Sequence, residues 1–325
     1  MAVLPSILRF AGVILLSTTL SPVQADSADT APGHWLKRMV EARHAVSYEG
    51  DFVYLHDGRV STMHIARQAD SKGDRERLTS LDGPRREVVR DQGRVICVLP
   101  RNQELIADSP DPVGNWQDSL LQRLDDLVTY YDVLLGGRDR VAEREAQLLR
   151  IVPKDHLRYG YRLWIDTASG LLVKSELLGE QGRLLEQVVF IRLQTVDQVP
   201  VAHLEPSNRR MVEHPAARSE LTPHTGEERW KADHLPAGFR LEEQKYQAIS
   251  KEGPSVDHLV FSDGLATVSV FVEHSPSPHD GLEGLSRRGA INIFGVRHGE
   301  WLVTAMGEVP EETVKLIGES ISGHD

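Results

Sequence analysis

Fourteen histidines are the first residues to question for chemistry. An imidazole ligates zinc or relays a proton only with a second group held in reach, as His-x-x-x-His or His-Glu-x-x-His does on one helix face. No such spacing occurs. The closest pair, His274 and His279, falls in a Pro-, Gly- and Asp-rich stretch, Ser275 to Gly284, where a rigid site has no support. No metal and no cofactor are expected. No Gly-x-Ser-x-Gly elbow, Ser-x-x-Lys pair or phosphate-cradling Gly loop is present either. Glu143 and Glu145 flank Arg144, and an alternation of this kind reads as the solvated face of a strand rather than an acid/base pair. Cys97, the one cysteine, sits in the apolar run Arg94 to Leu99. Nothing beside it lowers a thiol pKa, so it reads as a buried, inert side chain, and an internal disulfide is impossible. The expectation is a binding protein, not an enzyme.

Charge narrows what is bound. The chain has 37 Lys and Arg against 48 Asp and Glu, a net charge of -11, whereas binding a nucleic-acid backbone requires a basic surplus. Against that background the segment Arg67 to Arg101 is locally basic. Arg77, Arg85 and Arg86 along its hairpin could pair bidentately with the phosphates of an anionic lipid. The plainer reading is that Glu76, Glu87 and Asp91 neutralise these arginines across strands.

The elements that must position these groups follow from periodicity. Residues 1–25 read as an export leader: Arg9 supplies the positive end, Phe10 to Leu20 the apolar core, and Val23-Gln24-Ala25 the cleavage site, which places the chain in the periplasm. The apolar core falls short of the roughly 20 residues a span requires, so no stable membrane insertion is expected. Trp35, Leu36, Met39 and Val40 share one helical face. Ser47 to His56 then alternates, and Asp57-Gly58 supplies a tight hairpin turn into Val60 to Ala66. Further turns at Asp82-Gly83-Pro84 and Asp91-Gln92-Gly93 extend an antiparallel meander.

Residues 115 to 135 return to spacings of three and four, predicting one or two helices. Strands resume at Val141 to Val152, Arg158 to Ile165, Leu171 to Leu178 and Arg183 to Leu193. A sheet this large must curl, and helices tucked against its inner face would enclose an apolar hollow. Residues 26–200 form this first domain, 201–229 a Pro-rich linker, and 230–325 a small α+β domain. The small domain is a sheet closed by a helix whose apolar stripe is Val314, Ile317 and Ile321 behind Pro310. The fold class is α+β, mostly β.

Several segments together resemble the MucB/RseB family of periplasmic anti-sigma-factor-binding regulators. They are Tyr48 to Tyr54, Glu76 to Val88 with its central Asp82-Gly83-Pro84-Arg85-Arg86, Leu235-Pro236-Ala237-Gly238-Phe239, Asp263 to Glu273, and Gly307-Glu308-Val309-Pro310. The resemblance covers the mature chain. It departs at Met63-His64-Ile65-Ala66-Arg67-Gln68, where a strand ending in Arg-x-x-His would be expected. The resemblance implies a first domain like the carriers LolA and LolB, an open half-barrel around an apolar cavity. It also implies a protein that holds the periplasmic domain of a membrane-spanning anti-sigma factor, shields it from proteolysis, and is released by lipopolysaccharide or another acyl lipid. A homo-oligomer is expected. Within that frame the lipid contacts fall to Leu36, Met39, Val40, Phe52, Tyr54 and Leu78, with Arg77, Arg85 and Arg86 near the headgroup. The partner contacts fall to Val268, Val270, Phe271 and Val272, through edge pairing or apolar anchoring. Ordinary core is the competing assignment for each apolar position, and a soluble carrier of lipid or lipoprotein is the competing function.

Overall fold

The computed structural model describes residues 31–70, 74–91, 94–99, 103–107, 123–207, 222–223, 229–248, 255–275 and 283–323. The expected leader (residues 1–25), most of the expected linker (201–229), the Ser275 to Gly284 stretch beyond its ends, and residues 115 to 122 lie outside these. Among the described residues no helix is long and apolar enough to cross a membrane.

Helix α1 (Pro32–Ala45) starts with proline in its first turn, where the missing N–H breaks no helical bond. The chain then runs outward as six antiparallel strands, β1 to β6: Ser47–His56, Arg59–Gln68, Arg75–Ser80, Glu87–Asp91, Arg94–Leu99 and Gln103–Ala107. The β1–β2 turn has positive φ at both Asp57 and Gly58, the geometry that matches the twist of the flanking strands. After a second helix, α2 (Leu124–Tyr130), five more strands run inward: β7 (Tyr131–Val141), β8 (Arg144–Pro153), β9 (Gly160–Asp166), β10 (Leu172–Leu178) and β11 (Leu184–Val196).

The two runs meet where β1 pairs β11, from Ser47 opposite Val196 to His56 opposite Glu186. The result is an unclosed sheet of 11 strands in the order β6-β5-β4-β3-β2-β1-β11-β10-β9-β8-β7. At the seam Arg192 pairs Asp51 and Phe190 pairs Phe52, so Ile191 is an extra residue, a bulge that sharpens the local bend. Gly50 is required there, because a Cβ would lie 2.6 Å from the Arg192 carbonyl and 2.9 Å from the Phe190 ring.

Two expectations are corrected. The helical spacing through Tyr131 to Leu135 is overridden: α2 stops at Tyr130 and β7 begins at once, as the last strand of the sheet among the described residues. Val141 to Val152 is not one strand, since the chain reverses at Ala142 and Glu143, both at positive φ. Glu143 therefore sits at a hairpin tip and pairs with Arg140, while Glu145 pairs with Arg138 at 2.7 Å.

The second sheet comprises β12 (Thr222–Pro223), β14 (Arg240–Ala248), β15 (Ser255–Ser262), β16 (Thr267–His274), β17 (Gly284–Arg288), β18 (Ile291–His298) and β19 (Trp301–Gly307). Their order is β12-β14-β15-β16-β19-β18-β17. After a four-residue turn of helix, α3 (Val201–Leu204), the chain reaches this sheet, and α4 (Glu311–Glu319) later covers one of its faces. Val268, Val270, Val272, Val303, Ala305, Val314 and Ile317 make the core beneath α4. Ile321 leaves the helical stripe and pairs instead, with β20 (Ile321–Gly323) lying against β13 (Trp230–Ala232).

Candidate binding cleft between the two sheets

Helix α1 covers part of the inner face of the first sheet, and the rest of that face meets the face of the second sheet that α4 leaves uncovered, along a buried contact and an open cleft. The contact is built on the loop before β9 and the turn between β15 and β16. Arg158 Nη1 lies 2.7 Å from Asp263 Oδ2, and both side chains are 0% exposed. Tyr131 donates its hydroxyl to the same carboxylate oxygen at 2.8 Å. Arg158 also reaches the Ala237 carbonyl at 2.5 Å and lies about 5 Å from the rings of Tyr130, Tyr131 and Phe239. A buried charge needs this density of partners. The other Asp263 oxygen accepts the N–H groups of Leu265 and Ala266 at 2.9 and 2.7 Å, tightening the turn. Leu265, at the tip of that turn, enters the core of α1, α2 and the first sheet. Arg123 Nη1 donates to the Ser262 carbonyl at 2.9 Å, and Thr313 Oγ1 to the Leu157 carbonyl at 2.6 Å. Asn292 donates to the Tyr159 hydroxyl at 3.0 Å.

Beside this contact lies a cleft of about 560 Å3. The first sheet lines it with Phe52, Tyr54, Tyr161, Leu163, Glu186 and Val188, and the second with Leu265, Thr267, Phe271, Ile291, Met306 and Glu308. A smaller pocket of about 240 Å3 sits under α1, shares Phe52, Ser175 and Val188 with it, and is lined by Met39, Ile65, Leu78 and Phe190 together with the cations Arg43, Arg67 and Lys174. Three carboxylates interrupt this apolar surface: Glu176, which pairs with Arg162 at 2.6 Å and with Lys174 at 2.8 Å, and Glu186 and Glu308. Tyr54 donates its hydroxyl to Glu186 Oε2 at 2.8 Å. Glu308 titrates at about 7 because burial disfavours its charge and Glu186 repels it. Burial followed by the bond to Glu186 raises the Tyr54 phenol, and burial followed by Glu308 raises that of Tyr161, so both remain neutral donors at any physiological pH.

Family models described as the MucB/RseB N-terminal domain and the MucB/RseB C-terminal domain match residues 31–208 and 224–322. The chain belongs to the MucB/RseB family. It is 35% identical over 321 residues to the sigma factor AlgU regulatory protein MucB of Pseudomonas aeruginosa, covering 97% of this chain and 98% of that one. It is 28% identical over 306 residues to the sigma-E factor regulatory protein RseB of Haemophilus influenzae, covering 94% and 95%. Among solved structures, MucB in complex with MucA(peri) matches with a TM-score of 0.69 at 33% identity, over 91% of this chain and 100% of that chain. The Pseudomonas aeruginosa MucA/MucB complex matches with a TM-score of 0.70 at 32% identity, over 93% and 100%.

Within this MucB/RseB fold the site residues expected from sequence divide sharply. Phe52 and Tyr54 line the cleft, and Met39 and Leu78 the adjoining pocket. Leu36 and Val40 are not brought to either, since α1 fills the half-barrel and buries them against Leu149, Ile151, Leu163 and Ile165. Arg77 is placed on the opposite face of the sheet from Leu78, as strand alternation requires, in a polar pocket with Glu49, Asp51 and His64. Arg77 and Arg85 both pair with the buried Glu87, at 3.2 and 2.6 Å. Arg86 is exposed in the turn before β4. Arg77 is thus neutralised across strands and Arg85 by a carboxylate two residues on, while Arg67 and Arg90 likewise pair with Glu76.

In the second sheet β16 is an interior strand whose backbone groups are taken by β15 and β19, so edge pairing there is corrected. Val268, Val270 and Val272 are core beneath α4, and only Phe271 faces the cleft, stacked on His258 at 4.4 Å. Sequence reasoning missed Arg158, Asp263, Leu265, Glu186 and Glu308. A leucine inside the Asp263-Gly264 turn was the one local signal, since a solvated turn has no use for it.

Proposed function

We propose that this chain regulates a sigma factor by holding the periplasmic domain of a membrane-spanning anti-sigma factor, with an extended segment of that partner seated in the cleft. The cleft itself carries this reading. It draws its apolar lining from both sheets, so a segment bound there contacts both domains and its affinity depends on their arrangement. Relatives named as sigma factor regulators, and solved complexes of MucB with MucA, support the same assignment. Binding shields the partner from the protease that would otherwise cut it.

An acyl lipid, such as lipopolysaccharide, releases the partner by occupying the contiguous pocket behind Phe52 and favouring an arrangement that the peptide disfavours. The chain acts in the periplasm, after loss of residues 1–25. The test is proteolysis of the anti-sigma ectodomain alone, with this chain, and with chain plus lipopolysaccharide. Protection that lipid reverses is expected. Unchanged cutting in the presence of the chain refutes the regulatory reading, and delivery of bound lipid to acceptor vesicles without any protection favours a carrier.

A further inference from the structure

We propose that the cleft receives a basic side chain of the bound segment, a Lys or Arg seated between Glu186 of β11 and Glu308 at the end of β19. The inference rests on the cleft being the peptide site and adds a chemical requirement on the peptide.

Glu186 and Glu308 line the same cleft from opposite sheets, and the third carboxylate there, Glu176, is already paired with Arg162 and Lys174. Among the described residues neither Glu186 nor Glu308 is joined to a cation, and the influences that shift Glu308 are burial and the like charge of Glu186. Two carboxylates facing each other across apolar surface destabilise the empty protein, and an inserted ammonium or guanidinium relieves both repulsion and desolvation. The surroundings suit a cation further. Tyr54 fixes Glu186 through its hydroxyl, and the aromatic rings of Phe52, Tyr161 and Phe271 border the same space, a surrounding that tolerates a positive charge better than aliphatic side chains do. An apolar stretch with one basic residue is therefore the complement of this surface, and an acidic or wholly apolar stretch is not.

Proton linkage gives a signature that a merely structural role lacks. Glu308 titrates at about 7 when the cleft is empty, and a bound cation lowers that value. Binding then releases protons at neutral pH, and affinity rises with pH through this range before levelling off above it.

The experiment is calorimetry of the full chain with the anti-sigma ectodomain, in two buffers of different ionisation heat. It is repeated with Glu186→Gln, with Glu308→Gln, and with each Lys and Arg of the ectodomain changed to Gln in turn. Glutamine matches the neutral form that Glu308 already populates, and a thermal melt checks each fold. One ectodomain position is expected to lose about tenfold or more in affinity. Glu308→Gln should lose a similar factor, the two together little more, and proton release should vanish in the variant. Wild-type affinity without proton release in both Gln variants, while Phe271→Ala still weakens binding, overturns the basic-residue requirement and leaves the cleft reading standing. Absence of binding by the wild type removes both. Loss of binding to phosphatidylethanolamine vesicles, with ectodomain affinity untouched, assigns the pair to a lipid amine and overturns the proposal.

Discussion

Replacing Arg158 by methionine tests whether the buried ion pair sets the angle between the sheets. Removing one partner of a buried pair typically costs about 3–5 kcal/mol, because the other charge is left without its counterion. Here Asp263 keeps the Tyr131 hydroxyl and the N–H groups of Leu265 and Ala266, which places the loss near the lower bound. The methionine thioether refills the slot among Tyr130, Tyr131 and Phe239 and recovers most of the packing. The expected destabilisation is about 3 kcal/mol, read as a shift in the urea midpoint of the full chain at unchanged slope. Adding Asp263→Asn removes the stranded charge yet retains an oxygen for the two turn N–H groups. The double variant should therefore recover about 1–3 kcal/mol relative to the sum of the singles. The same substitution frees the domains to reorient, so ectodomain affinity should fall with stability. A loss under about 1 kcal/mol for Arg158→Met, or strict additivity in the double variant, refutes the reasoning.

Phe271→Ala should weaken ectodomain binding about tenfold or more with little change in stability, whereas Val270→Ala, on the other face of the strand, should do the reverse; titration and melting of the two variants decide it. Gly238→Ala should destabilise by about 1–3 kcal/mol in urea, because φ is +87° there and a Cβ would lie 2.4 Å from the Tyr130 ring. Burial alone would raise the Glu87 carboxyl, but hydrogen bonds from Ser207, Arg77 and Arg85 outweigh it and bring it to about 2. Its stabilising contribution is complete above the ordinary value of 4.5 and is lost as pH falls toward 2. Glu87→Gln should accordingly be less stable than wild type at neutral pH, with the difference closing in acid; a difference that persists at low pH contradicts the pairing.

Much of the fold was legible because it is local. Asp57-Gly58 announced its hairpin, and Trp35, Leu36, Met39 and Val40 announced α1, since turn chemistry and periodicity act over a few residues. The strand β7 was not legible: Leu127, Val128 and Tyr131 keep helical spacing into it, and no Gly or Pro marks the change at Tyr131. The cleft was half legible. Alternation in Val268 to Val272 shows two faces, but whether the strand lies inside the sheet or at its edge depends on β15 and β19 on either side of it, which the alternation does not encode. Arg158 and Asp263 are 105 residues apart, and no local pattern relates them. Arg77 and Leu78 were assigned together as neighbours in sequence, though adjacent strand residues point to opposite faces.

The seam that joins β1 to β11 has a consequence for how the chain matures. Its partners, Ser47 and Val196, are the first and last positions of the large sheet, so a polypeptide made from its amino end cannot close that sheet until nearly all of it has been synthesised. Until then β1 presents a bare hydrogen-bonding edge, and α1 waits for strands more than a hundred residues downstream. Non-local closure of this kind is slow and open to misassociation. Early folding from the amino end alone therefore cannot complete this domain.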